Sequence, residues 1–222
     1  MCTFNTCWYE EVCDGAKQDC YKSCVRYHEM KYMMDNSNIP KNRQLPSMLQ
    51  PDECDLAAFS RLAEIKEDIV NFVEDGRNLY ITSSITGNGK SSWSLKLILK
   101  YFDSMWDGNG FVPRGVFIHV PTFLLKCKDF KNEDPEFEDL KRRLLDVDLV
   151  VWDDIASTAV TGYDISQMLM YIDSRVFSGR ANIYTGNIVN RDSMEKMLGT
   201  KLVSRIWGSG TEIIEFRGGD RR

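Results

Sequence analysis

The sequence predicts an α/β fold in which helices cover both faces of a parallel β-sheet. The first observation is a glycine-rich loop at residues 84–91, between a β-prone run at 78–83 and a helical pattern at 91–101. The second is an apolar run at 148–155 that ends in acidic residues, and the third is a buried-type strand at 115–120 between them. Strands that alternate with helices are typical of three-layer domains with a parallel sheet.

The chain begins with a cysteine-rich segment. Five of the seven cysteines lie in the first 24 residues. Zinc takes four thiolate or imidazole ligands, and such a site can fold a segment that is too short to build its own core. We expect a small zinc-binding helical domain at residues 1–35, with an iron–sulfur cluster or free buried thiols as alternatives. The predicted ligands are Cys7, Cys13, Cys20 and Cys24.

A connector and an amphipathic helix follow. Residues 36–53 contain three prolines among polar residues, which predicts an extended linker. The main domain, residues 54–222, would begin with a helix that Asp52 or Asp55 caps and Gly76 ends. The apolar residues of this helix recur at helical spacing, which predicts that they pack on the rest of the domain.

The glycine-rich loop reads Ser-Ile-Thr-Gly-Asn-Gly-Lys-Ser and matches a phosphate-binding loop (P-loop) except at Ser84, where the pattern has glycine. Its two glycines let N–H groups turn toward phosphate oxygens, and the next helix adds its positive N-terminal end. Lys90 would reach the β- and γ-phosphates, and Ser91 would ligate Mg²⁺. The predicted nucleotide contacts are Thr86, Gly87, Asn88, Gly89, Lys90, Ser91 and Ser92.

The strand at 148–155 carries an acidic pair near its end. We expect Asp153 to hold Mg²⁺ through its waters and Asp154 to orient and deprotonate the attacking water. One strand lies between the loop strand and this acidic strand. That inserted strand, together with a water-activating carboxylate, distinguishes additional-strand ATPases from GTPase-like and kinase-like relatives.

Two polar positions late in the chain complete the predicted site. A strand at 181–187 ends in Asn187, where an amide can sense the γ-phosphate and help to position water. Lys201 and Arg205 share one helix face. Beside a nucleotide site, Arg205 is predicted to be an arginine finger that enters a neighbouring subunit's site and stabilises charge in the transition state.

Composition excludes several other classes of protein. The net charge of -5 argues against a broadly basic surface that coats nucleic acid. No apolar run approaches the roughly 20 residues that span a bilayer, and the N-terminus lacks the pattern of a secretory signal. We therefore expect a cytoplasmic protein with reduced cysteines and no membrane association.

Together these motifs resemble the DnaC/DnaI-type helicase loaders of the AAA+ class, in a phage-like form. The resemblance covers the chain from about residue 78 onward. It rests on Gly-Asn-Gly-Lys-Ser, Val-Val-Trp-Asp-Asp-Ile, Thr-Gly-Asn, Leu-Gly-x-Lys-x-x-Ser-Arg-Ile and a final Gly-x-Asp-x-Arg. The cysteine-rich segment is similar, more loosely, to the family's zinc-binding domain that contacts the helicase.

The resemblance implies an ATPase that binds ATP or ADP with Mg²⁺, binds a DnaB-type hexameric replicative helicase, and delivers it to single-stranded DNA in phage replication. It also implies a homo-oligomer in which neighbouring subunits share the ATP site. Arg222 would be sensor 2, and Arg175 a further inter-subunit arginine. The chain departs from the family pattern at Ser84, at Gly186, and at Asp154, where many relatives have glutamate. The shorter acid predicts slow hydrolysis that a partner stimulates.

Two other functions are compatible with the sequence. A transposition-type AAA+ ATPase has almost the same motifs, but the acidic composition and the N-terminal cysteines favour the loader. A non-hydrolysing adaptor or inhibitor would bind the nucleotide and the helicase without turning over ATP.

Overall fold

The structure is a computed structural model, and it describes residues 24–44, 49–105, 111–129, 134–156 and 159–220. Five strands form one parallel sheet. They are β1 (Asn78–Thr82), β2 (Gly115–His119), β3 (Leu149–Ile155), β4 (Ala181–Gly186) and β5 (Thr211–Glu215). Their order across the sheet is β2-β3-β4-β1-β5.

Helices cover both faces of this sheet. They are α1 (Val25–Asn36), α2 (Leu56–Glu67), α3 (Ile69–Glu74), α4 (Lys90–Ser104), α5 (Val120–Cys127), α6 (Pro135–Asp146), α7 (Gly162–Phe177), α8 (Arg191–Leu198) and α9 (Thr200–Ile206). Short 3-10 turns lie at Lys41–Arg43 and Glu53–Asp55. The structure confirms the predicted α/β architecture of a parallel sheet between helices, and the inner strands are buried along most of their length, as strands covered on both faces are.

The alternation of side chains along the strands creates two cores. Leu79 and Val151 point to the face covered by α1 to α4, where they pack with residues such as Leu62. Tyr80 and Trp152 point to the opposite face, which α5 to α9 cover. The period of two along each strand thus divides one sheet between two hydrophobic clusters.

Helix α1 belongs to the first of these cores. Its residues Met30, Met33 and Met34 are buried in the cluster that contains α2 to α4. The chain after α1 then runs along the outer side of β2, where the Phe117 N–H donates to the Ser37 carbonyl at 2.7 Å. Asn38 Nδ2 donates to the Phe117 carbonyl at 2.9 Å. The predicted domain boundary at residue 35 stays a prediction.

The single helix predicted between residues 52 and 76 is two helices, α2 and α3, which meet at Asp68. The prediction that Asp52 or Asp55 caps it is wrong, because neither side chain makes a capping hydrogen bond. Asp55 is buried and instead accepts the N–H groups of Arg217 and Gly218, at 2.7 Å and 3.1–3.2 Å. This carboxylate ties the start of α2 to the chain that leaves β5.

Gly76 ends α3 as predicted, and two constraints require glycine there. Its φ is +62°, which side-chain-bearing residues rarely adopt. A Cβ at this position would also lie 2.1 Å from the carbonyl oxygen of Gly179.

Among the described residues, no helix combines the length and the apolar character that crossing a membrane requires.

Candidate nucleotide-binding site

The predicted site residues converge at the carboxyl-terminal edge of the sheet. The glycine-rich loop follows β1, the acidic pair lies near the end of β3, and Asn187 follows β4. Because β4 pairs with both β1 and β3, these three strand ends are neighbours. Open parallel sheets bind ligands at this edge, outside the carboxyl ends of their strands.

Two glycines and one asparagine fix the conformation of the loop. Gly87 has φ +75° and Gly89 has φ +102°, so the backbone turns twice through the left-handed region. Asn88 is fully buried, and its Nδ2 donates to Ser83 Oγ at 2.5 Å. Helix α4 begins directly after Gly89, so the loop delivers the N-terminus of a 15-residue helix to the site.

The departure from the phosphate-loop pattern at Ser84 costs no backbone strain. Ser84 is exposed, and within the described ranges the non-glycine residues with positive φ are Asn38, Asp154 and Ala156. The first position of the loop therefore does not need the freedom of glycine in this chain.

The side chain of Lys90 folds back onto the loop that precedes helix α4. Its Nζ donates to the Ile85 carbonyl at 2.9 Å and to Asn88 Oδ1 at 3.3 Å, and the residue is only 8% exposed. Both of these acceptors are neutral. Because hydrogen bonds between ions are roughly twice as strong as neutral ones, a phosphate oxygen would compete well for this ammonium group.

Asp153 lies next to the first residues of α4. It is 2% exposed, and its Oδ1 accepts the Thr185 hydroxyl at 2.7 Å. Burial raises the pKa of Asp153, while hydrogen bonds from Thr185 and Ser91 lower it. The structure thus brings together the Ser91 hydroxyl and the Asp153 carboxylate, the oxygen ligands that a Mg²⁺ ion would use.

A β-bulge positions the acidic pair. Trp152 pairs with Tyr184 and Ile155 pairs with Gly186, so β3 has one more residue than β4 between these two pairs. Asp154 occupies the bulge with φ +63°. Its N–H donates to Thr185 Oγ1 at 2.9 Å. Aspartate is among the few residues that tolerate this conformation, and such backbone irregularities are common beside functional sites.

Two residues of the site had no role in the sequence prediction. One is Thr185, whose hydroxyl donates to Asp153 and accepts from the N–H of Asp154. The other is His119 at the end of β2, whose Nε2 lies 3.9 Å from Asp154 Oδ2 and whose Nδ1 lies 2.8 Å from Thr122 Oγ1. A polar residue at the carboxyl end of a predicted strand was the available signal for both.

Asn187 has an unsatisfied oxygen. Its Oδ1 is buried and has no hydrogen-bond partner among the described residues. Leaving such a group unpaired costs about 1–3 kcal/mol, a cost that a bound nucleotide with its water would remove. The preceding Gly186 departs from the family pattern for a steric reason, because a Cβ would lie 2.7 Å from the Tyr80 hydroxyl and 2.9 Å from the Ile155 carbonyl.

Arg205 does not lie with these residues. It is on α9, half-exposed, and its Nε donates to Asp173 Oδ1 on α7 at 2.5 Å. Helix α7 starts after β3 at the site edge, and Asp173 is eleven residues beyond its first residue, Gly162. At 1.5 Å per residue this is roughly 16 Å along the helix axis. Arg205 is therefore set apart from the nucleotide edge of its own subunit.

The inter-subunit role implied for Arg175 is wrong, because this arginine is fully buried in its own subunit. Nε donates to Asn182 Oδ1 at 2.8 Å. The terminal nitrogens donate at 2.7–3.1 Å to the backbone carbonyls of Leu144, Val147, Asp148 and Ala181. Burial lowers the pKa of Arg175 to about 9, which leaves the guanidinium charged at neutral pH.

Several predicted residues lie outside the described part of the chain. They are Arg222, Cys7, Cys13 and Cys20. Cys24 is described, and its Sγ accepts the Tyr27 N–H at 3.4 Å at the start of α1. Among the described residues, no group of three or more His, Cys, Asp or Glu could hold a metal ion. The zinc site stays a prediction.

The five-stranded parallel sheet, the glycine-rich loop after β1 and the converging strand ends form a fold that several solved structures share. Among solved structures, the chain is similar to the DnaC helicase loader, with a TM-score of 0.64 and 16% identity over 80% of this chain and 100% of that one. It is similar to DnaI with a TM-score of 0.63 and 14% identity, over 82% of this chain and 96% of that one.

A replication initiator has the same fold. The AMPPCP-bound DnaA from Aquifex aeolicus gives a TM-score of 0.58 and 15% identity, over 83% of this chain and 53% of that one. No protein-family model and no curated protein matches the sequence. The similarity to the DnaC/DnaI-type loaders that the motifs predicted is thus confirmed as a similarity of fold.

Proposed function

We propose that this protein binds ATP with Mg²⁺ and acts as a helicase loader in DNA replication. The observation that carries the nucleotide site is the meeting of the α4 N-terminus, the Ser91–Asp153 pair and the unsatisfied Asn187 oxygen at one edge of the sheet. Anion-binding N–H groups, hard oxygen ligands and a polar group that needs a partner together suit a triphosphate with its metal ion.

Each residue has a distinct task in this proposal. Lys90 and the loop N–H groups bind the phosphates, while Ser91 and Asp153 hold Mg²⁺. Asp154 orients and deprotonates the attacking water, and Asn187 positions that water against the γ-phosphate. Because Asp154 is short and its backbone is held in a bulge, we expect slow hydrolysis that accelerates when a partner binds.

The loader assignment is supported by the similarity of fold to DnaC and DnaI over most of both chains. The proposed partners are a DnaB-type hexameric helicase, single-stranded DNA and further copies of this chain, which would complete each ATP site with Arg205. Contact of the cysteine-rich segment with the helicase, the phage origin, the sensor 2 role of Arg222 and the cytoplasmic location stay predictions.

The nucleotide site is tested by comparing Lys90→Ala with Lys100→Ala, a lysine of the same helix whose nearest carboxylate is 4.0 Å away. Fluorescent ATP titrated into the intact protein should bind the Lys100→Ala variant normally and the Lys90→Ala variant at least tenfold more weakly. Equal binding by both variants would contradict the site.

The loader function is tested separately, with the replicative helicase encoded alongside this protein or by its host. Size-exclusion chromatography with and without ATP should show a complex, and the complex should place the helicase on circular single-stranded DNA. Binding without loading or turnover would identify the non-hydrolysing adaptor instead. An ATP-dependent filament on double-stranded DNA without a helicase complex would identify a transposition-type ATPase.

A further inference from the structure

The ion pair between Asp173 and Arg205 leaves most of the arginine available. Asp173 contacts Nε, and no other hydrogen bond or ion pair of Arg205 occurs among the described residues. The guanidinium has five donors in a planar fork. A carboxylate on Nε therefore fixes the plane of the group while the two terminal amino groups stay open to an incoming anion.

The pair has little to contribute to the stability of the fold. The two side chains are 46% and 48% exposed, and an ion pair that water surrounds on this scale adds little to folding stability. Arg175, by contrast, engages all of its donors in the interior of the same subunit. The arginine with open donors is the one that lies on the surface.

Two large apolar side chains are exposed on the helix that carries Asp173. Met170 and Phe177 lie three residues before and four residues after Asp173, on the same exposed side of α7. Phe177 is 92% exposed and Met170 is 50% exposed. Exposed aromatic and methionine side chains beside an open guanidinium are typical of a protein interface.

We propose that Asp173 is the positioning residue of Arg205 and orients its terminal amino groups toward the nucleotide phosphates of a second copy of this chain. This inference rests on the proposed function, since the second copy supplies the phosphates. Charge complementarity favours that occupant, because the nucleotide edge of a neighbour would present a triphosphate to this cation. Asp173 does not touch the nucleotide and acts through Arg205 alone.

A mixture of two variants separates two tasks of each subunit: binding the nucleotide and supplying the arginine to a neighbour. In a mixture of Lys90→Ala and Arg205→Ala subunits, the working nucleotide sites belong to the Arg205→Ala subunits. Their arginine must come from the Lys90→Ala neighbours. A further change at position 173 in the Lys90→Ala subunits can then affect hydrolysis only through the arginine that they supply.

The experiment measures the ATPase kcat and KM of such equal mixtures in the presence of the helicase and single-stranded DNA. We expect the basic mixture, which contains only Lys90→Ala and Arg205→Ala subunits, to be active. The Lys90→Ala subunits are the donors of the arginine. Donors that carry Lys90→Ala together with Asp173→Asn should give a kcat about fivefold lower at an unchanged KM. Asp173→Glu in the donor should restore most of the rate. Glu195→Gln in the donor is the matched control, because Glu195 contacts Nε of Arg191, an arginine of similar exposure, at 2.8 Å.

The outcomes separate the two ideas. An inactive basic mixture overturns the shared site of the proposed function, and this inference with it. An active basic mixture in which Asp173→Asn donors equal the unmodified donors overturns the positioning role alone. A higher rate with Asp173→Asn donors also overturns it, since the carboxylate would then hold Arg205 away from the neighbour.

Discussion

The two ends of the sheet treat their polar groups in opposite ways, and strand β4 has an asparagine at each end. At the amino-terminal edge, Asn182 is fully buried and all of its hydrogen-bonding capacity is used: Oδ1 accepts from Arg175 and Trp152, and Nδ2 donates to Asn78 and to the Arg180 carbonyl. At the carboxyl-terminal edge, Asn187 has a buried oxygen without a described partner.

This contrast indicates that the amino-terminal edge of the sheet stabilises the fold, whereas the carboxyl-terminal edge keeps polar groups available for a ligand. A satisfied buried network makes the structure rigid and specific, whereas unpaired groups and strained backbone persist only where the rest of the fold stabilises them. The amino-terminal edge has Arg175 with five acceptors, while the carboxyl-terminal edge has the bulge at Asp154 and the buried Asp153. Mutations at the first edge should therefore change mainly stability, and mutations of the unpaired Asn187 and the strained Asp154 at the second edge should change mainly activity.

The largest expected effect is at the amino-terminal edge. Arg175→Leu should lower the free energy of unfolding by about 4 kcal/mol or more, because it removes the side-chain donor of four carbonyls and one of the two donors to Asn182 Oδ1. Urea denaturation measures this change. Arg180→Ala, which removes a neighbouring side chain that bonds only the Asp146 carbonyl among the described residues, should cost less than about 1 kcal/mol. Similar losses in both variants would contradict the contrast.

Replacing the asparagine at the carboxyl-terminal end of β4 should affect ATP turnover. Asn187→Ala is expected to lower the rate of ATP hydrolysis by roughly 10²-fold, since it removes one polar contact to the transition state. Its free energy of unfolding should equal that of the parent or exceed it by up to about 1–3 kcal/mol, because the substitution removes an unpaired buried oxygen and its cost. Asn190→Ala, which removes the cap of α8, should show the reverse, with about 1 kcal/mol of stability lost and hydrolysis retained.

A third prediction concerns Thr185, the residue that links the two acids. Thr185→Val keeps the shape but removes the hydroxyl that donates to Asp153 and accepts from Asp154. We expect a loss of about 2 kcal/mol in the absence of nucleotide, together with weaker Mg²⁺-dependent ATP binding. Denaturation and ATP titration with and without Mg²⁺ measure the two effects. A stable variant with unchanged Mg²⁺ dependence would remove Thr185 from the site.

The smallest expected change in stability is at Asp154. Asp154→Asn should leave the free energy of unfolding within about 0.5 kcal/mol, because asparagine tolerates the positive φ of the bulge. Asp154→Ala should cost about 1 kcal/mol for the same backbone. Both variants should bind ATP and lose hydrolysis. Retained hydrolysis in Asp154→Asn would show that the carboxylate is not the base.

The parts of the fold that the sequence predicts are those that depend on local patterns. The loop, its strand and its helix follow from the two glycines and the apolar periodicity, and the acidic pair follows from the apolar run before it. These features need no knowledge of what packs around them. The pattern likewise identifies Asn187 as a polar residue at the end of a strand.

The parts that the sequence does not predict depend on tertiary contacts. Arg175 and Arg205 both lie in helices late in the chain, but the packing of α7 on the sheet buries Arg175, while Arg205 lies on α9 and is half-exposed. The bulge at Asp154 reflects the pairing of β3 with β4, which local periodicity does not specify. Asp55 has the spacing of a helix cap but binds a distant backbone instead.

The segment along β2 has a consequence for how copies of this chain can associate. An open sheet edge is a template on which another strand can add. Here the N–H and carbonyl of Phe117 are already taken by Ser37 and Asn38. On the opposite edge, Glu212 of β5 binds Arg61 and Arg77, so charged side chains border that strand. Strand-to-strand association is thus disfavoured at both edges, so the proposed contact between copies would use the helical faces.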